Sequence, residues 1–289
     1  MTALEDLFAI RRILVALDCA TECLAALDTA ADLALRVDAE LEGLFVEDIN
    51  LVRLAELPFE QELSLATGLI QHLDVATVER EFRAASEEAR HGLEERAARS
   101  NLRWTFRVVR GVIETEIGAA EAEADLLVLG RGKRPLTRHV RLATAAERLA
   151  QLSTRPVLLL QGPPAPIRCV AAAVESTPES ERTLAAAVRI HAALERADAL
   201  AEGAPLQVLC VGATAKAAKE AERQASGVLA RANVPARIRV VTDSGTAQIA
   251  DMVRGSKGPL LVIPARSSLV GEDASELLNA VDCPVLFVR

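Results

Sequence analysis

The strongest constraint on this chain is an internal repetition: five short aliphatic runs, separated by Ala- and Leu-rich stretches at helical spacing, occur twice in the same order. The first series is Ile13–Asp18 (ILVALD), Leu41–Val46, residues 102–109 (LRWTFRVV), Leu126–Leu129 ending at Gly130, and Pro156–Leu160. The second is 167–174 (IRCVAAAV), 206–212 (LQVLCVG), 236–241 (ARIRVV), 260–263 (LLVI) and 284–288 (PVLFV). Helices are predicted over 24–37, 78–99 and 113–123, with another before Pro156, and then over 179–196, 215–231, 246–254 and 273–280. Strands alternating with helices predict βαβ units, a parallel sheet and right-handed crossovers.

The two copies can be registered by subtraction. Gly111 with Gly245, and Gly130 with Pro264, both stand 134 residues apart. Pro156 and Pro284 stand 128 apart, which makes the second copy six residues shorter between its last two strands. Val46 and Val211 stand 165 apart, which gives the first copy about 31 extra residues between its second and third strands. QGPPAP (161–166) reads as the linker, because its prolines interrupt both helix and strand hydrogen bonding. The expected units are 1–161 and 167–289.

Composition agrees with buried parallel strands. Hydrophobic residues make up 51% of the 289, but aromatic ones only 2%, so the core has to be built from Ala, Val, Leu and Ile. A net charge of −8 argues against nucleic-acid binding, which needs clustered Lys and Arg. The N-terminal MTALEDLFAIRR is acidic where a signal peptide is basic, and no run nears the roughly 18 apolar residues of a membrane span. A cytoplasmic protein is expected. The five cysteines show no CxxC or Cys/His ligand spacing. Cys169, Cys210 and Cys283 read as small buried thiols, and Cys19 with Cys23 supplies two ligands of one helix face, which do not make a metal site.

RRILVALD, LFVED and LLVLGRGKRPLTRHVRLATAAERLAQLSTRPVLLL in the first copy resemble the universal stress protein family of the UspA type, and the duplication resembles its tandem form. The resemblance implies two α/β doubly wound, Rossmann-like domains of the adenine-nucleotide α-hydrolase-like kind, each with a five-stranded, mainly parallel sheet. Many members bind ATP at the carboxyl ends of the strands; others do not. The binders carry a Gly-x2-Gly-x9-Gly-Ser/Thr loop after the fourth strand, where glycines let backbone N–H groups approach phosphate and a hydroxyl sits at the next helix start.

Carried over by position, the resemblance implies a site at Asp18 (the acid ending the first strand), Val46 (adenine contact), Leu129, Gly130, Gly132, Lys133, Ala143 and Thr144. Lys133 stands at the second glycine position, with Gly132 one residue early, and Ala143 stands at the third. A Cβ there obstructs close backbone approach and positive φ. Against that, Lys133, Arg134, Arg138, His139 and Arg141 make the loop basic, which suits an anion as well as it suits a solvated polar loop. In the second copy the acid falls at Val174 or Glu175, Pro264 replaces the first glycine, and Gly271-Glu272 replaces Gly-Ser/Thr. That copy is expected to bind no nucleotide and to serve structurally, pairing with the first domain through the edge strands PVLLL and PVLFV, as tandem members do.

Residues 49–77 are the part the fold does not require. Their apolar residues fall at near-helical spacing broken by Pro58, so a helical insertion is expected. It reads either as an arm packed on its own domain or as a lid or a surface for a protein partner or second subunit. The histidines, His72, His91, His139 and His191, show no HxxxH or HExxH spacing and read as surface or cap residues.

The expectation is a non-enzymatic stress-response protein, homodimeric, with adenine nucleotide (ATP or AMP) as its ligand in the first domain and no metal beyond the Mg that accompanies a nucleotide. The alternatives are a structural module that binds no nucleotide and, more weakly, a slow ATPase.

Overall fold

A computed structural model of the chain describes residues 8–17, 21–57, 61–63, 70–72, 74–131, 146, 148–150, 152–161, 165–201, 204–242, 246–267 and 275–289. The first copy contributes β1 (Arg12–Leu17), α1 (Thr21–Val37), β2 (Glu40–Asp48), α2 (Ile49–Ala55), β3 (Gln61–Leu63), β4 (Ile70–His72), α3 (Val75–Ser100), β5 (Trp104–Gly111), α4 (Ile113–Glu121), β6 (Leu126–Gly130) and β7 (Val157–Leu160). The second contributes β8 (Cys169–Val174), α5 (Pro178–Arg196), β9 (Leu206–Val211), α6 (Ala215–Ala232), β10 (Ala236–Val241), α7 (Thr246–Arg254), β11 (Pro259–Pro264), α8 (Ser275–Ala280) and β12 (Val285–Val288).

Ten of these strands form one sheet in the order β10-β9-β8-β11-β12-β7-β6-β1-β2-β5. Every neighbouring pair is parallel except β12–β7, which is antiparallel. Each half is therefore a doubly wound, five-stranded parallel sheet, and the two halves join edge to edge. At the join Leu158 faces Leu286, while Val157 faces Phe287 and Leu159 faces Val285. Leu158 and Leu286 are the same position of the repeat, so a pseudo-two-fold axis passes between them and the contact is isologous, as between the subunits of a dimer. The central strands β6, β7, β8 and β12 are buried throughout, and aliphatic residues alone fill them apart from Gly130, Cys169 and Phe287.

Strand register refines the subtraction. Ile13 faces Leu126 and Val170 faces Leu260, which keeps the offset of 134 on β6/β11 and sets 157 on β1/β8. Leu17 then matches Val174. These face Phe45 and Cys210, giving the expected 165 on β2/β9. The acid that follows the first strand in the second copy is thus Glu175, not Val174. On β5/β10, however, Phe45 faces Val108 and Cys210 faces Val240, an offset of 132. The first copy's insertion is therefore 33 residues rather than 31, and the second copy gains two residues between the third helix, where buried Ile117 and Ile249 still stand 132 apart, and the fourth strand. The second copy is also longer by eight residues between its first two strands, an addition subtraction had not exposed.

The helix ends repeat as faithfully as the strands. Asn101 and Asn233 close α3 and α6 in the left-handed region, at φ 49° and 52°. Beyond them Leu102 donates to Ala97 and Val234 to Leu229, the six-to-one bond of a Schellman cap. Asp38 and Asp198, at φ 55° and 52°, do the same for α1 and α5 with the bonds Ala39 to Ala34 and Ala199 to Leu194. Because Asn101 and Asn233 also stand 132 apart, the surplus length of α3 lies at its N-terminal end.

The insertion is not a helical arm throughout. Asp48 caps α2, accepting from the Asn50 backbone N–H at 2.9 Å, and α2 buries Leu51, Val52 and Ala55 while packing on α3 and β5. Beyond it the chain forms a two-stranded antiparallel ribbon, β3 with β4. Pro58 removes a helical hydrogen bond after the first two turns, and the alternation in QEL and IQH then serves a strand.

Candidate functional site

In the first half, β1 pairs on one side with β2 and on the other with β6. The chain leaves β1 toward β2 but reaches β6 from the far edge, so the crossovers diverge and leave a crevice beyond the carboxyl ends of β1 and β6. Doubly wound sheets bind ligands at such a point. Leu17 and Leu129 are buried at its floor. Gly130 closes β6 beside Leu160, and Val46, half-buried, lies one strand beyond β1 and pairs with Val109. Asp18, Gly132, Lys133, Ala143 and Thr144 lie outside the described residues, as does the basic loop that contains them.

On the outer side of β2 the charges are paired with one another. Arg110 donates to Glu47 at 2.7 Å and to Glu79 at 3.2 Å, and its guanidinium pKa is raised first by the bond to Glu47. Asp48 is buried and engaged in capping α2. Since α2 packs on α3 and β5, this stretch lies over the outer strand and not over the β1/β6 crevice.

Exit from the fourth strand is the same in both copies: Arg131 N–H donates to Leu160 O and Ala265 N–H to Val288 O, each at 2.7 Å. The side chains differ. The Arg131 guanidinium donates to Gln161 Oε1 at 3.1 Å and to Asn279 Oδ1, on α8 of the second half, at 2.9 Å. Gln161 is 5% exposed and gives Nε2 to the Leu278 and Val281 carbonyls at 3.1 and 2.6 Å. Residue typing did not single out Arg131, Gln161 or Asn279. The available signal was a polar residue one step beyond PVLLL and PVLFV in both copies, Gln161 and Arg289.

At the corresponding crevice of the second half stand Val174, Glu175 and a buried Pro264. The Glu175 N–H donates to Ser180 Oγ at 3.2 Å. A cleft of about 480 Å³ lies nearby, between α5 and α6. Its rim is self-satisfied: Arg231 pairs with Glu181 at 2.6 Å and Gln224 donates to Ser176 at 3.2 Å.

Burial holds the thiols of Cys169, Cys210 and Cys283 above their usual range, Cys210 and Cys283 to about 12, so all three are protonated and unreactive at neutral pH. Cys19, and the side chain of Cys23, lie outside the described residues. His91 is exposed, 3.4 Å from Glu95. His191 is the exception to the surface expectation: on α5 it is 1% exposed, and its Nδ1 has no hydrogen-bond partner. It lies on the apolar face of that helix among Ala187, Ile190 and Leu194, where a neutral imidazole fills space. His139, and the side chain of His72, lie outside the described residues. Among the described residues no three His, Cys, Asp or Glu side chains are grouped to hold a metal, and no helix is long and apolar enough to cross a membrane.

Fold and crevice together define a tandem member of the doubly wound α/β class. The universal stress protein family model matches residues 9–161, more than half of the chain, and the chain belongs to that family. A universal stress protein from Archaeoglobus fulgidus DSM 4304 has the same fold at a TM-score of 0.71, with 14% identity and 98% of each chain covered. A functionally unknown protein from Pseudomonas aeruginosa PAO1 is similar at 0.58, with 17% identity over 98% of this chain and 94% of its own. The cytoplasmic domain of a prokaryotic cation chloride cotransporter is similar at 0.51, with 13% identity over 96% of this chain and 95% of its own. Their full-length coverage shows the doubled fold recurring as a whole. No curated protein matches the chain.

Proposed function

We propose that this universal stress protein is a non-catalytic stress-response protein that binds one adenine nucleotide, ATP or AMP, in its first domain (residues 1–161), while the second (167–289) binds none. The carrying observation is the reversal of strand order at β1/β6, with glycine, Gly130, closing β6 where the second copy has Pro264 closing β11. In this reading Val46 meets the adenine, Asp18 the ribose, and Gly130, Gly132, Lys133, Ala143 and Thr144 the phosphates, with Leu129 behind them. The basic residues of the loop supply the countercharge in an otherwise acidic protein. Mg²⁺ enters only with the nucleotide.

Retention of an acid, Glu175, does not restore the second site. A proline cannot donate a backbone N–H to phosphate, and the loop that follows is six residues shorter. A calorimetric and thermal-shift screen of the full chain with ATP, ADP, AMP and adenine tests the proposal. Saturable binding supports it, and silence at millimolar ligand leaves the structural reading in its place. ATP turnover that disappears in Asp18→Ala would instead establish the hydrolase reading.

A further inference from the structure

We infer that Asn279, on the second repeat, is a positioning residue for the first repeat's ligand site, acting through Arg131. This rests on the nucleotide reading above.

Arg131 follows Gly130 directly, so its backbone is the first step of the chain out of β6 and into the proposed phosphate loop. Three described contacts hold that step. The Arg131 N–H donates to Leu160 O at 2.7 Å. One guanidinium nitrogen donates to Gln161 Oε1 at 3.1 Å, and another to Asn279 Oδ1 at 2.9 Å. Gln161 is in turn bound into the second repeat by two bonds from Nε2. The guanidinium is planar, so two acceptors at different nitrogens set its orientation as well as its position. One acceptor belongs to the strand end of its own repeat and the other to α8 of the second.

Among the described residues the second copy shows no such device. Its backbone bond from Ala265 to Val288 is identical in length, but the Ala265 methyl group can neither donate nor reach across. The symmetric part of the junction is thus doubled, whereas the Arg131–Asn279 branch exists on one side only, beside the crevice that keeps its glycine.

Asn279 is exposed on the surface of α8, so truncation spares the core. The test is the affinity of the full-length protein for ATP with Mg²⁺, measured by calorimetry in parallel with the thermal midpoint. Asn279→Ala is expected to weaken ATP binding about fivefold, within the range of second-site coupling, with the midpoint of the ligand-free protein unchanged. Asn279→Asp, which keeps an acceptor for Arg131, is expected to restore affinity. In an Arg131→Ala background, Asn279→Ala is expected to have no further effect. Parent-level affinity in Asn279→Ala, or equal effects of that substitution with and without Arg131, overturns the inference while leaving the nucleotide reading intact. If the parent itself binds no ATP, the nucleotide reading fails and the positioning role falls with it.

Discussion

Gln161 and Arg289 are the same residue of the repeat, each one step beyond its junction strand, and each donates across the pseudo-two-fold axis. Gln161 Nε2 reaches Leu278 O at 3.1 Å, and Arg289 Nη2 reaches Ala150 O at 2.6 Å. Ala150 and Leu278 are themselves equivalent, 128 residues apart like the two donors. The junction is therefore a symmetric dimer contact built into one chain. Its two halves are unequally satisfied, because Gln161 uses both its oxygen and its nitrogen, whereas Arg289 buries Nε and Nη1 without partners.

Opposite outcomes follow at the two positions. Gln161→Leu orphans the Leu278 and Val281 carbonyls and removes an acceptor from Arg131, and it should cost about 2 kcal/mol or more in urea unfolding. Arg289→Gln keeps an amide donor for Ala150 and withdraws a guanidinium whose pKa is lowered chiefly by burial. It should leave stability unchanged or raise it by up to about 1 kcal/mol. Equal losses at both positions would contradict the difference in satisfaction.

The buried imidazole of His191 makes stability depend on pH. Burial lowers its folded pKa below 6.5, only partly opposed by Glu195. The unfolded chain therefore takes up a proton that the folded chain refuses. The neutral folded form carries no penalty above about pH 6.5, and stability falls as pH drops from there toward the folded pKa. Between pH 7.5 and 5.5 the urea midpoint of the parent should fall further than that of His191→Phe. Parallel declines would show that His191 does not titrate differently in the two states.

Asn101 and Asn233 hold left-handed caps, at φ 49° and 52°. Alanine at either position should cost about 1–2 kcal/mol, the price of that conformation for a residue with an ordinary Cβ. Glycine should be tolerated without loss. Chemical denaturation of the four variants checks this, and an alanine variant as stable as its glycine counterpart would count against the cap geometry.

Most of the fold was legible because βαβ units announce themselves locally: aliphatic runs such as LLVLG and VLCV form strands, and the Ala-rich stretches between them form helices. Subtraction located the insertion and the shortened loop, since both are larger than the two-residue shift that lies between them. It misjudged the third strand by two residues because Gly111 and Gly245 resemble each other without standing at one register position. The β3/β4 ribbon was missed because, in a short segment, apolar spacing that suits a helix also suits strands once a proline intervenes. Of the residues assigned to the candidate site, Leu129 and Gly130 close β6 as the strand reading implied, whereas β2 runs two residues past Val46 to Asp48. Arg131, Gln161 and Asn279 could not be read as a set, since their meeting depends on β7 pairing with β12, which brings together residues more than a hundred apart.

The central claim is that one repeat of two carries the nucleotide. Photo-crosslinking of the full-length protein with 8-azido-ATP, followed by mass spectrometric mapping, tests it most directly. The account predicts adducts, competed by ATP, only within residues 1–161. Competed adducts within 167–289, or none that ATP displaces anywhere in the chain, would contradict it.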